Sequence, residues 1–97
     1  MAYILSKNPK VRYSPTEQEV FRILARYAGN VKKLPTTQLV SWDLYGDAGD
    51  LPFHADQIAG GAIRSLMRKL DANEEPFKLQ RVKIPGKKVV WRLTKNN

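Results

Sequence analysis

The sequence predicts a single α+β domain over residues 1–97, with three helices, a C-terminal β-hairpin, and a short N-terminal β-hairpin or arm over residues 1–13. Three observations predict it. A helix-start signature stands at Ser14-Pro15-Thr16-Glu17, a helical apolar stripe runs from Ala59 to Leu70, and two alternating runs flank Pro85-Gly86-Lys87 near the end of the chain. At 97 residues there is room for one modest core, and 42% hydrophobic with 27% charged residues is the balance of a chain that folds.

The first thirteen residues read as a hairpin because Tyr3, Ile4 and Leu5 favour strand, Ser6-Lys7-Asn8-Pro9 favours a turn, and Val11 to Tyr13 could return. Helix 1 opens with Ser14 as N-cap, Pro15 at the first helical position and Glu17 three residues after the cap, the pattern of a capping box. Val20, Ile23, Leu24 and Tyr27 then share one face, and Gly29-Asn30 supplies the stop. Past Val31 to Leu34, Pro35 with Thr36 or Thr37 opens a shorter helix 2, in which Leu39, Val40 and Leu44 face inward and Gly46 marks the end. Asp47 to Pro52 reads as a loop.

Helix 3 is expected over about 54–70, with Ala59, Ala62, Ile63, Leu66 and Leu70 buried and Gln57, Gly60, Gly61, Arg64, Ser65 and Arg68 on the outer side. Asp71 to Pro76 is a polar turn that ends it. Leu79 to Ile84 and Lys88 to Leu93 are the hairpin strands, joined through Pro85-Gly86-Lys87, and residues 94–97 form a basic tail. Trp42 and Trp91 lie within apolar runs and read as packing residues, while Phe53 and Phe77 are placed to cover the ends of helix 3.

Several function classes are disfavoured. No run of 18 apolar residues occurs and the N-terminus lacks a cleavage-site pattern, so no membrane association and a cytoplasmic location are expected. Without cysteine there is neither a disulfide nor a thiolate-zinc site, and one histidine cannot build a metal cluster, so neither metal nor cofactor is expected. Asp43, Asp47 and Asp50 lack the dense spacing of a calcium loop. His54 beside Asp56 is the one suggestive acid–base pair, and no nucleophile motif accompanies it, so no catalytic residues are assigned and the chain does not read as an enzyme.

Charge points toward a polyanion. Seventeen Lys and Arg against nine Asp and Glu give a net charge of +8. From Lys78 onward there are seven bases and no acid, whereas Asp43 to Asp50 holds three acids and no base, so the molecule has electrostatically distinct sides. Three helices and a basic hairpin are the element order of a winged helix-turn-helix, in which the third helix enters the DNA major groove and the hairpin, or wing, lies on the flanking backbone or minor groove. A groove-reading helix needs an anchored face, here Ile63, Leu66 and Leu70, and a donor-bearing face, here Arg64, Ser65 and Arg68. A wing needs cations at its tip, and Lys83, Lys87 and Lys88 flank Pro85-Gly86.

Residues 14–93 resemble the effector domain of OmpR/PhoB-class response regulators. Ser14 to Glu17 is similar to that family's helix 1 opening, Ile23 to Val31 to its helix end, and Leu39 to Gly46, including Trp42, to its second helix. Ala62 to Leu70 resembles its basic recognition helix, and Val90-Trp91-Arg92-Leu93 its final wing strand. The resemblance implies a double-stranded DNA-binding transcriptional regulator, bacterial or from a phage, with Arg64, Ser65 and Arg68 of helix 3 and the wing lysines Lys83, Lys87 and Lys88 on the DNA; the basic wing is expected over 81–92, and the outer side of helix 3 adds Gln57, Gly60 and Gly61 to the expected contacts. It also implies RNA polymerase or another protein as a partner of the 43–50 loop. With no receiver segment ahead of Ser14, a stand-alone regulator is expected, and the unusual turn at Ile84 to Lys87 and the Gly60-Gly61 pair leave base preference open.

Two other classes compete. One is a winged-helix protein-interaction module, using the 43–50 loop or the wing strands. The other is an RNA binder, for which the chain lacks the aromatic or Gly-x-x-Gly motifs of the common RNA-binding modules. Oligomeric state is not legible.

Overall fold

Ser14 begins the first helix as the capping box requires. Its extended backbone (φ −69°, ψ 161°) lets Glu17 N–H donate to Ser14 Oγ at 3.1 Å while Ser14 N–H donates to Glu17 Oε1 at 2.7 Å. The computed structural model describes residues 3–28, 33–45, 55–86 and 88–95. Within them, α1 spans Pro15–Tyr27, α2 Thr37–Tyr45, α3 Ala55–Ala72, β1 Phe77–Val82 and β2 Val90–Lys95. The protein is thus α+β, with three helices followed by an antiparallel two-stranded hairpin.

Val20, Phe21, Ile23 and Leu24 bury one side of α1, with Tyr27 partly covered. Its expected stop at Gly29-Asn30 lies outside the described residues, as do the expected helix 2 end at Gly46 and Phe53. Of the two candidate caps of α2, Thr36 serves, accepting from Leu39 N–H through Oγ1 at 3.1 Å. Val40 and Ser41 are buried, whereas Leu39 and Leu44 are only partly covered. Trp42 corrects the expectation of a packed residue. It stands 49% exposed, because a nine-residue helix docked through Val40 and Ser41 turns position 42 away.

α3 runs two residues beyond Leu70. It closes where Glu74 takes a left-handed backbone (φ 53°) and Glu75 N–H bonds back to the Leu70 carbonyl at 3.0 Å. Ile63 and Leu66 are fully buried and Leu70 nearly so, against Val20, Ile23 and Leu24 of α1 and Val40 of α2 in one core.

The hairpin pairs Phe77 with Lys95, Leu79 with Leu93 and Arg81 with Trp91. Both strands sit nearer the chain ends than expected from Leu79–Ile84 and Lys88–Leu93. Phe77, Leu79, Trp91 and Leu93 are the side chains that reach the core, and pairing follows them, while Ile84 lies beyond it at 37% exposed. Thr94 and Lys95, expected in the tail, therefore belong to β2. Trp91 N–H also donates to the Pro35 carbonyl at 2.9 Å and Thr36 bridges to Val90, so the strip preceding α2 lies along β2.

The N-terminal hairpin does not form. Among the described residues the sheet has two strands, both C-terminal, and residues 3–13 are an arm without strand structure. Tyr3 stacks on Phe77 with ring centroids 5.3 Å apart, and Val11 exchanges backbone hydrogen bonds with the Asn73 side chain at 2.8 and 2.9 Å. The backbone groups of Ser6 and Val11 in the arm find partners in the Glu75 and Asn73 side chains on the turn after α3, where a hairpin would have used a partner strand.

Candidate functional site

An outward stripe on α3 follows from its helical period: Gln57, Gly61, Arg64 and Arg68 succeed one another by four, three and four residues. Gln57, Arg64 and Arg68 are exposed, and Gly61 is partly so; apart from its chain neighbours and the adjoining backbone of its own helix, no described atom lies within 4 Å of where a Cβ would stand.

Two expected members of this face are elsewhere. Gly60 is buried: a Cβ there would stand 3.6 Å from Thr37 Cγ2 and 3.5 Å from Arg64 Nη1, so the Arg64 guanidinium lies back over it. Ser65 lies on the flank of α3 that meets the start of α1, where its hydroxyl helps to hold the Glu17 carboxyl in its charged form. Lys69, one turn on, donates from Nζ to Glu17 Oε1 at 2.6 Å and to the Arg12 carbonyl at 2.9 Å. Burial by itself pushes Glu17 up, but the hydrogen bonds with Lys69 and Ser14, with the Ser65 hydroxyl close by, outweigh it and lower its pKa to about 2.

At the hairpin tip Lys83 and Lys88 are exposed, and Lys88 Nζ lies 3.4 Å from Gln38 Oε1 at the start of α2. Lys87 lies outside the described residues. Gly86 takes φ +74°, a conformation that favours glycine and turns the chain between the lysines.

A groove of about 450 Å³ separates α3 from the hairpin and is lined by Thr37, Arg64, Met67, Arg81, Val89 and Trp91. Arg81 falls inside the expected wing at 81–92 but was not singled out as a site residue, and its place beside α3 was not foreseen. It lies two positions past buried Leu79 on the same face of β1, so it faces α3 where the apolar core has run out. The parity of Phe77, Leu79 and Arg81 was the signal that could have found it. Among the described residues no carboxylate lies within ion-pair distance of Arg64, Arg68 or Arg81.

The acidic segment is tied down at its first residue, where Tyr27 Oη donates to Asp43 Oδ2 at 2.9 Å, a bond that raises the tyrosine's pKa. Most of the 43–50 loop, including Asp47 and Asp50, and His54 lie outside the described residues. Asp56, the other half of the His54 pair, accepts from Ser41 Oγ at 2.8 Å and so links α2 to α3. Among the described residues no three His, Cys, Asp or Glu side chains gather as a metal site would, and no helix is long and apolar enough to cross a membrane. No protein-family model, curated protein or solved structure matches the chain.

Proposed function

We propose that the chain is a winged helix-turn-helix protein that binds double-stranded DNA and regulates transcription, with α3 in the major groove and the hairpin tip on the adjacent backbone or minor groove. The observation that carries this reading is the exposure of cations on two adjoining elements: Arg64 and Arg68 stand on the outer side of α3, Arg81 of β1 lines a groove with Arg64, and Lys83 and Lys88 lie at the hairpin tip. Net charge of +8 supplies attraction to phosphate, and the exposed arginines supply the forked donors that base edges and phosphates accept. The element order and the bridge from Thr36 to Val90, which seats the start of α2 against the hairpin, are compatible with the winged architecture. The likeness to OmpR/PhoB-class effector domains, a cytoplasmic setting and a non-catalytic role belong to the same reading.

Fluorescence anisotropy of a labelled 20-base-pair duplex, titrated at several salt concentrations, tests it. Binding that weakens steeply with salt and is competed by duplex DNA better than by single-stranded or duplex RNA is the expected result. Salt-independent or absent binding sinks it.

A second reading, a protein-interaction module, draws support from an open groove of about 780 Å³ between the arm and α1. Tyr3, Leu5, Phe21 and Ala25 line it, and Ile4 stands 67% exposed at its edge. Binding of a protein partner that survives Arg64→Ala and Arg68→Ala, in the absence of duplex binding, would favour it.

A further inference from the structure

The DNA reading above gives Arg64 a base-reading task by its position on α3, yet its side chain is directed elsewhere. The guanidinium lies back over Gly60 toward the methyl group of Thr37, and it lines the groove between α3 and the hairpin instead of extending straight from the helix. The groove's other wall carries Arg81, whose cross-strand partner Trp91 and neighbour Val89 supply apolar lining. Two arginines therefore line one groove, and among the described residues neither has a carboxylate within ion-pair distance.

Two like charges lining one groove favour an anion there. Trp91 contributes no free donor, because its Nε1–H is already given to Thr37 Oγ1 at 2.9 Å. Donors without acceptors, two positive charges and a partly apolar lining fit an anion with several acceptor oxygens around a tetrahedral centre. Gly60 belongs to the same device. A methyl group there would make ordinary contacts with Arg64 Nη1 at 3.5 Å and Thr37 Cγ2 at 3.6 Å, whereas a longer side chain would occupy the space in which the guanidinium lies.

Resting on the DNA-binding reading, we propose that Arg64 and Arg81 form a clamp for one phosphate of the DNA backbone between α3 and the hairpin. Base reading then falls to Gln57 and Arg68, the exposed side chains at the two ends of the α3 stripe. Arg64 fixes the register of the helix on the duplex and carries no sequence information itself.

The test uses the whole chain, the best duplex selected from a random library, and a scrambled duplex of the same length, with a thermal melt of each variant as a folding control. Arg64→Ala and Arg81→Ala should each weaken both duplexes by the same factor and reduce the slope of log K against log salt by at most about one unit, the value of the single shared phosphate. The double variant should lose less than the sum of the two, because the second substitution acts on a phosphate already half released. Arg64→Lys should retain the slope, and Gly60→Leu should reproduce Arg64→Ala while Gly60→Ala does not. If the wild-type chain binds but Arg81→Ala leaves affinity and slope unchanged, or Arg64→Ala changes the preference between duplexes and not the slope, the clamp is wrong and the DNA reading stands. If the wild-type chain does not bind duplex DNA, both are wrong.

Discussion

Lys69 Nζ of α3 lies 2.6 Å from Glu17 Oε1 in the first turn of α1, so one carboxylate both completes the capping box of its own helix and receives the charge of another. The Glu17 side chain is only 4% exposed, and its second oxygen, Oε2, is buried without a hydrogen-bond partner among the described residues. A carboxylate buried in this way stabilises the fold only while it is ionised and paired.

The pH dependence follows from the sign of that shift. Folding lowers the Glu17 pKa from 4.5 to about 2, so its stabilisation is fully present above about pH 4.5 and is lost as pH falls toward 2. Urea denaturation at pH 7 and pH 3 should show the wild type losing more than Glu17→Gln does, with a full loss on the order of 3 kcal/mol. Lys69→Met should cost about 3–5 kcal/mol at pH 7, because it leaves the buried carboxylate unpaired. Equal acid sensitivity in wild type and Glu17→Gln would remove Glu17 as the cause.

Leu66 is fully buried between α3 and the rest of the core. Leu66→Ala should cost about 2–5 kcal/mol of stability, while Gln57→Ala, on the exposed side of the same helix, should stay within about 0.5 kcal/mol. Thermal melts of the two variants beside the parent check the assigned faces.

Gly61 sits inside a helix and, apart from its chain neighbours and that helix's adjoining backbone, has no described atom within 4 Å of a Cβ position. Gly61→Ala should stabilise the free protein by about 0.5–1 kcal/mol, seen as a rise in Tm of a few degrees. A fall in Tm would mean that the space around Gly61 is occupied.

Glu75 is 7% exposed and fastens the arm, accepting from Ser6 N–H at 3.1 Å, Ser6 Oγ at 2.7 Å and Tyr13 Oη at 2.7 Å. Burial opposes its charge, but these bonds lower its pKa, and burial first, together with the Glu75 carboxylate and against the nearby Asn73 side chain, raises Tyr13 to about 12. Tyr13→Phe should cost about 1.5–3 kcal/mol, the value of a hydrogen bond to a charged group. Hydrogen exchange at Ser6 should quicken in Glu75→Gln and remain slow at Leu66; unchanged exchange at Ser6 would show that the apolar contacts of Tyr3 and Leu5 hold the arm unaided.

Much of this architecture was legible because it rests on local chemistry. Ser14, Pro15 and Glu17 start α1 through bonds closed within four residues. The 3.6-residue period of Ile63, Leu66 and Leu70 identified the buried side of α3, and with it the exposure of Gln57, Arg64 and Arg68. The alternation around Pro85-Gly86 identified the hairpin, and the count of Lys and Arg its charge. Each of these signals is carried by neighbours in the chain.

Tertiary contacts decided the rest. Tyr3 to Tyr13 has strand-forming residues, but only the folded chain offers the arm Phe77, Asn73 and Glu75, more than sixty positions away, and these take the place of a second strand. Ser65 looked outward by its residue type, and the meeting of α3 with the start of α1 turned that flank toward Glu17. Arg81 looked like one more hairpin cation until pairing with Trp91 set its register and placed it on one groove with Arg64. Helical period and capping depend on bonds between near neighbours, so composition and spacing determined them; register, the seating of the arm and the placing of two arginines on one groove depend on which surfaces come together, which a single strand of sequence does not encode locally.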